Sequence, residues 1–223
     1  MNPTGTLSDR QIWSRASAGG VRPAEIGTFT TPLIRKAGSV ATIGTALAAQ
    51  LMAALDAKGF TALRTDDRHP ALADIPPETE DYEIFSAGYG EIHSARELLQ
   101  LVQRCNRKFT PKEDRWHEGD RVVDPFRPGL IYAARSDREF DLLTEKHLNA
   151  VRSAFRRCET LIVALGASEV CESVADGAVF PVWPGTVAGT FDPERHAFRT
   201  LTIEDTNADL RAAVAELRVT VVW

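Results

Sequence analysis

The chain has 223 residues, of which 43% are hydrophobic and 26% charged, proportions that fit one large soluble domain with a sizeable core. A net charge of -5 argues against a general nucleic-acid binder, because a phosphate backbone demands a basic surface. Three cysteines, Cys105, Cys158 and Cys171, are odd in number and lack metal-ligand spacing, so neither a disulfide framework nor a metal site is expected.

From Met1 to about Ala37 the chain carries Gly19-Gly20 and Arg22-Pro23 with weak periodicity, which reads as an extended arm ahead of a domain spanning 38–223. The first residues lack the basic and apolar regions of a secretory signal, and no run is long and apolar enough to cross a membrane. A cytoplasmic protein without membrane partners is the expectation. Val40-Ala41-Thr42-Ile43 reads as a buried strand, followed by a helix with Leu47, Leu51 and Leu55 at helical spacing and a stop at Gly59. Phe60-Thr61-Ala62-Leu63 completes a βαβ unit, whose ligand-facing rim lies at the carboxyl ends of its strands. From Arg64 to Glu83 an acidic, proline-bearing segment marks a long surface loop.

Ser94 with Glu97 forms a capping box ahead of Leu98, Leu99, Leu101 and Val102, and Ser136 with Glu139 repeats the device ahead of Phe140, Leu143, His147, Val151 and Phe155. Thr160 to Leu165 is a continuous apolar run bounded by Gly166, the pattern of a strand covered on both faces and thus of the central strand of a parallel sheet. A last helix capped at Thr202, with Ile203, Leu210, Val214 and Leu217, leads into Val219-Thr220-Val221-Val222. Strands alternating with helices predict an α/β three-layer sandwich with about four parallel strands. The chain stops at Trp223, which reads as a rim that is either naturally short or truncated.

Three pieces should meet on that rim: Gly44-Thr45-Ala46 after the first strand, Gly90 in Tyr89-Gly90-Glu91, and Gly166-Ala167-Ser168-Glu169 after the central strand. Together with Phe85-Ser86-Ala87-Gly88-Tyr89-Gly90, Asp124-Pro125-Phe126-Arg127-Pro128 and the stretch from Phe180 to Pro193, these blocks resemble the GSCFA family, a branch related to the SGNH (GDSL-like) esterases. The likeness runs from about Ser39 to the C-terminus. It implies a flavodoxin-like SGNH-hydrolase sandwich and acyl-ester hydrolysis or acyl transfer, on an acylated carbohydrate or small ester, with no cofactor. In that mechanism a serine attacks the ester, a histidine takes its proton, and backbone amides bind the oxyanion.

Thr45 stands in the serine's place, within Gly44-Thr45-Ala46-Leu47-Ala48, where the family has its Gly-Ser-Cys-Phe-Ala signature. The resemblance thus assigns Thr45 to the nucleophile position and Gly44, Ala46, Gly90, Gly166, Ser168 and Glu169 to oxyanion or ligand binding. Threonine's extra methyl restricts χ1 and crowds the attack path. Glu91 stands where relatives tend to carry asparagine, setting a negative charge near a developing oxyanion. The family's Ser-Pro loop and histidine segment, which follow the last strand, are absent before Trp223. A pseudoenzyme with weak or no activity is therefore expected, the alternative being a non-catalytic carbohydrate- or protein-binding module.

Among the five histidines, His93 is the best stand-in base, because it is close to Gly90 in sequence. His147 falls on the apolar stripe of its helix and reads as a paired core histidine, whereas His69, His117 and His196 read as solvent-facing. Arg127, among prolines, is a candidate partner for Glu169 or another buried carboxylate. Trp183 and Phe191 could stack on a sugar or close the core edge.

Overall fold

A computed structural model describes residues 13–18, 34–67, 84–127, 132–217 and 220–222. The chain divides into two compact units, 1–35 and 36–223. In the first, residues 13–18 form a six-residue helix, α1 (Trp13–Ala18), residues 34 and 35 are in neither helix nor strand, and the remaining residues up to 33 lie outside the described residues. Its two alanines and arginine are good helix formers, and the weak periodicity of the surrounding sequence hid them.

In chain order the second unit runs β1 (Ser39–Gly44), α2 (Ala46–Ala57), β2 (Thr61–Ala62), α3 (Ala95–Cys105), β3 (Trp116–Glu118), β4 (Arg121–Val123), α4 (Asp137–Arg157), β5 (Thr160–Ala164), β6 (Glu169–Ser173), β7 (Val179–Phe180), β8 (His196–Thr200), α5 (Ile203–Leu217) and β9 (Thr220–Val222). A mixed α/β fold with a parallel sheet is thereby established. The sheet has four strands in the order β2-β1-β5-β9, all parallel, with β5 inside it as its continuous apolar run demands. Val40 pairs with Thr160 and Gly44 with Ala164, so β1 and β5 end level with each other at their carboxyl ends.

The helix starts are fixed locally. Ser94 Oγ accepts the Glu97 N–H at 3.3 Å while Glu97 Oε2 accepts the His93 N–H at 2.8 Å. Ser136 accepts the Glu139 N–H at 3.2 Å, and Thr202 Oγ1 accepts the Asp205 N–H at 3.0 Å. Burial shifts the expected stripes on two helices. On α2 the buried positions are Ala48, Met52 and Leu55, and Leu47 is 55% exposed. On α5 they are Asp209, Ala213 and Leu217, with Ile203 exposed. In both, a small alanine faces the neighbour and permits close approach, turning the bulky residues one position outward.

The main core joins Ala41, Ile43, Leu161 and Val163 of the sheet to Leu98 and Val102 of α3, Val151 and Phe155 of α4, and Ala213 and Leu217 of α5. Two antiparallel additions were absent from the sequence reading: the hairpin β3-β4, turning at Gly119 (φ 61°), and the sheet β7-β6-β8. They share a second core of Trp116, Val123, Phe126, Cys171, Phe180 and Ala188. Of the loop expected over Arg64–Glu83, residues 68–83 lie outside the described residues.

Candidate functional site

Gly44 ends β1 at φ 139°, a backbone conformation that only glycine adopts readily, and leads the chain straight into the first turn of α2. Thr45 is the N-cap residue of that helix, half-buried, and its side chain makes no capping hydrogen bond. Its N–H donates instead to the Ala164 carbonyl at 2.9 Å, tying the corner to the end of β5. The N–H of Ala46, at the first helical position, makes no hydrogen bond among the described residues.

The second piece is clamped beside β1. Ser86 Oγ accepts the Thr42 N–H at 3.1 Å, the Tyr89 hydroxyl donates to the Thr42 carbonyl, and the Ile92 N–H donates to the Gly44 carbonyl at 3.0 Å. Gly90 turns this segment at φ 69°. The His93 carbonyl then accepts both the Gly166 and Ala167 N–H groups at 3.0 Å. Backbone hydrogen bonds thus tie Ile92 to Gly44, Thr45 to Ala164 and His93 to Gly166 around the carboxyl ends of β1 and β5, with Gly90 two residues before Ile92 on the clamped segment. The Gly166 amide is engaged in that bridge.

Ser168 and Glu169 continue from it into β6, where the Ser168 hydroxyl lies 3.4 Å from Glu169 Oε2 and the Ser168 carbonyl accepts the Leu201 N–H. Glu169 is exposed and is the first residue of β6. The Glu91 carboxylate faces His93, with Oε2 3.7 Å from Nε2, both side chains partly exposed.

A separate polar cluster is buried beside this segment. His147 Nδ1 lies 2.9 Å from Asp66 Oδ2, which also accepts the Gly88 N–H at 3.2 Å. Burial is the chief cause that lowers the His147 pKa to about 4, so its imidazole is neutral at pH 7. Arg127 does not reach Glu169; its Nε donates to Asp124 Oδ2 at 2.9 Å and its Nη1 to the Gly88 carbonyl at 3.4 Å. Burial alone would raise the Asp124 pKa, but the guanidinium groups of Arg127 and Arg104 outweigh it and hold the carboxyl below its ordinary range. Arg104, 7% exposed, lays its guanidinium over Phe126 with Cζ 3.9 Å from the ring centroid.

The other histidines divide. His117 is exposed and pairs with Asp137 at 3.0 Å, while His69 lies outside the described residues. His196, expected at the surface, is buried: its Nδ1 accepts the Asp192 N–H at 3.0 Å and its Nε2 donates to Glu113 Oε2 at 3.1 Å. Its polar sequence context concealed a carboxylate 83 residues away, close enough in space to satisfy a buried ring.

Residues 39–221 match the model of the GSCFA family. The chain belongs to the GSCFA family. No curated protein and no solved structure matches it. The GSCFA match opens at the first residue of β1 and closes within β9, so the bridged rim and all but the last residue of the parallel sheet lie inside the family's span. Within it, Gly44-Thr45-Ala46-Leu47-Ala48 form the corner at the end of β1 and the first turn of α2.

Proposed function

We propose that the rim at the ends of β1 and β5 is an acyl-ester site of the SGNH type, on a three-layer flavodoxin-like sandwich, retaining weak turnover at most toward an acylated carbohydrate or small ester. The observation that carries the reading is Thr45 itself, a hydroxyl free of any capping bond beside the unengaged Ala46 amide at a helix start. An oxyanion forming there meets the Ala46 N–H and the positive end of the α2 dipole, with the Gly90 amide as a second donor from the neighbouring segment.

In the reaction so assigned, Thr45 Oγ1 bonds to the ester carbonyl carbon and its proton passes to His93. Because His93 Nε2 faces Glu91, Nδ1 is the atom left to take it. Collapse of the tetrahedral intermediate breaks the bond to the alcohol, which leaves with that proton, and water then releases the acid from Thr45. Leu47, exposed two residues on, offers apolar surface to an acyl chain. The threonine methyl and the Glu91 charge keep this slow, by crowding the attack path and opposing the oxyanion. The cytosol is the compartment proposed for it.

The test is release of p-nitrophenol from p-nitrophenyl acetate by the purified protein against Thr45→Ala. A rate above that variant supports the reading, and equal rates exclude hydrolysis at this corner. A second reading, non-catalytic carbohydrate binding, is favoured by one observation: Trp183, Phe191 and Phe198 are exposed together, with the Trp183 and Phe198 rings stacked at 5.8 Å and the Trp183 and Phe191 centroids 5.6 Å apart.

A further inference from the structure

The peptide that carries the Gly90 N–H lies in a stretch, residues 84–94, that belongs to no helix or strand, so no ladder of hydrogen bonds holds it. Its buried peptide groups are met in part by side chains. Downstream of Gly90 the stretch is tied to the rim by the Ile92 N–H on the Gly44 carbonyl at 3.0 Å. Upstream the hold falls on Gly88, which is gripped on both sides: its N–H by Asp66 Oδ2 at 3.2 Å and its carbonyl by Arg127 Nη1 at 3.4 Å.

Asp66 is the better braced of the two anchors. It is buried, and the same Oδ2 lies 2.9 Å from His147 Nδ1, which fixes the carboxylate against α4. The residue before it runs along the same stretch. The Thr65 N–H donates to the Ser86 carbonyl at 2.9 Å, and Thr65 Oγ1 donates to the Ala150 carbonyl of α4 at 2.8 Å. A carboxylate bonds a backbone N–H roughly twice as strongly as a neutral acceptor does, so Asp66 is a firm link from a long helix to Gly88.

Between Gly88 and Gly90 the Tyr89 hydroxyl donates to the Thr42 carbonyl, which leaves the Tyr89–Gly90 peptide little freedom. The N–H of that peptide is half-buried and makes no hydrogen bond among the described residues. A free donor on a peptide held from both sides is what preorganised stabilisation of an oxyanion requires, and a shift of about 1 Å in such a group costs about a hundredfold in rate.

We propose that Asp66 is a positioning residue of the rim, holding the Tyr89–Gly90 peptide through Gly88 so that the Gly90 N–H meets the oxyanion formed at position 45. This role rests on the acyl-ester reading of the rim. It is tested by hydrolysis of p-nitrophenyl acetate by the whole Thr45→Ser chain, alone and with Asp66→Ala or Asp66→Asn, while the Gly90 amide is followed by NMR. Tyr89-Gly90 is the only Tyr-Gly pair in the sequence, so isotopes at tyrosine carbonyls and glycine nitrogens single out that peptide.

The expected result is a kcat lower by about tenfold or more in Asp66→Ala, with KM within about twofold and a displaced Gly90 resonance. In Asp66→Asn the amide oxygen takes the place of Oδ2, and both kcat and the resonance should return. An undiminished kcat in folded Asp66→Ala, an unmoved Gly90 resonance there, or an equal loss in Asp66→Asn overturns the role of Asp66 and leaves the acyl-ester reading standing. A Thr45→Ser chain no faster than Thr45→Ala removes that reading and this role together. A further measurement keeps Asp66 unaltered, and so decides even where Asp66→Ala fails to fold. Reaction of Thr45→Ser with a fluorophosphonate forms the Oγ–P bond, releases fluoride and the hydroxyl proton, and sets a phosphonyl oxygen in the oxyanion's place. The Gly90 proton should then move downfield, and a resonance that stays in place in the adduct overturns the proposal.

Discussion

Replacing Gly44 with alanine perturbs the rim at the point where sheet and site are one object. A Cβ built there falls 2.1 Å from the Ala164 carbonyl oxygen, 2.7 Å from its carbon and 2.9 Å from its nitrogen. All three are backbone atoms of β5, the strand between β1 and β9, so no side-chain rotation relieves the clash. A φ of 139° adds backbone strain of its own. Strain of about 1–3 kcal/mol and overpacking of about 1–3 kcal/mol combine to a loss of about 4 kcal/mol. That is a large part of the 5–15 kcal/mol typical of a domain. The control is Gly59→Ala, at φ 72° with no atom within 4 Å of the added carbon, which loses only about 1 kcal/mol from backbone strain. Urea unfolding of both variants at constant pH reads the difference. If Gly44→Ala is no less stable than Gly59→Ala, the reasoning about the β1–β5 corner is wrong.

Three further outcomes follow from the buried polar groups. His147 titrates near 6.5 in an unfolded chain and near 4 in the fold, so the stability it contributes is complete above about pH 6.5 and is lost as pH falls toward 4, by about 3 kcal/mol. Urea midpoints between pH 7 and 4 should therefore fall less steeply in His147→Gln, and an unchanged slope would count against the assignment. Arg127→Met leaves Asp124 buried without its 2.9 Å partner and should cost about 3–5 kcal/mol, whereas Arg107→Ala, at an exposed pair with Glu145, should change stability by less than about 1 kcal/mol, both read by thermal or urea unfolding. Thr42→Val deletes a fully buried hydroxyl with no partner on β1 and should raise stability by about 1 kcal/mol; a loss would mean the hydroxyl is satisfied in solution.

What the sequence disclosed was local. The Ser94–Glu97 and Ser136–Glu139 caps are side chains bonding backbone three residues away, so the spacing alone places them. The β5 run is legible because burial on both faces requires unbroken apolar residues. The antiparallel strands β6, β7 and β8 escaped notice because each is short, with an irregular burial pattern, and their partners are separated by turns rather than by a helix. The same limit applies to the sites. Thr45 and its glycine were visible from a strand ending at a helix start. The pairing of Asp66 with His147 spans 81 residues, and its first member sat in what read as a surface loop. Arg127 carried a signal of a buried partner, but that partner proved to be Asp124, three residues earlier, where the intervening Pro125-Phe126 turn folds the guanidinium back. Arg104 had no signal at all, since an arginine near a helix end reads as a solvated, dipole-complementing charge.

The central claim is that the Gly44–Thr45 corner retains the framework of an acyl-transfer site and that the nucleophile's extra methyl, together with the Glu91 charge, holds it back. Incubation of Thr45→Ser with a fluorophosphonate, followed by intact and peptide mass spectrometry, tests that claim without knowledge of the natural substrate. The account predicts one adduct, on the peptide carrying position 45, formed faster than in the unaltered protein and absent from Thr45→Ala. An unlabelled Thr45→Ser, or labelling that persists in Thr45→Ala, would contradict it.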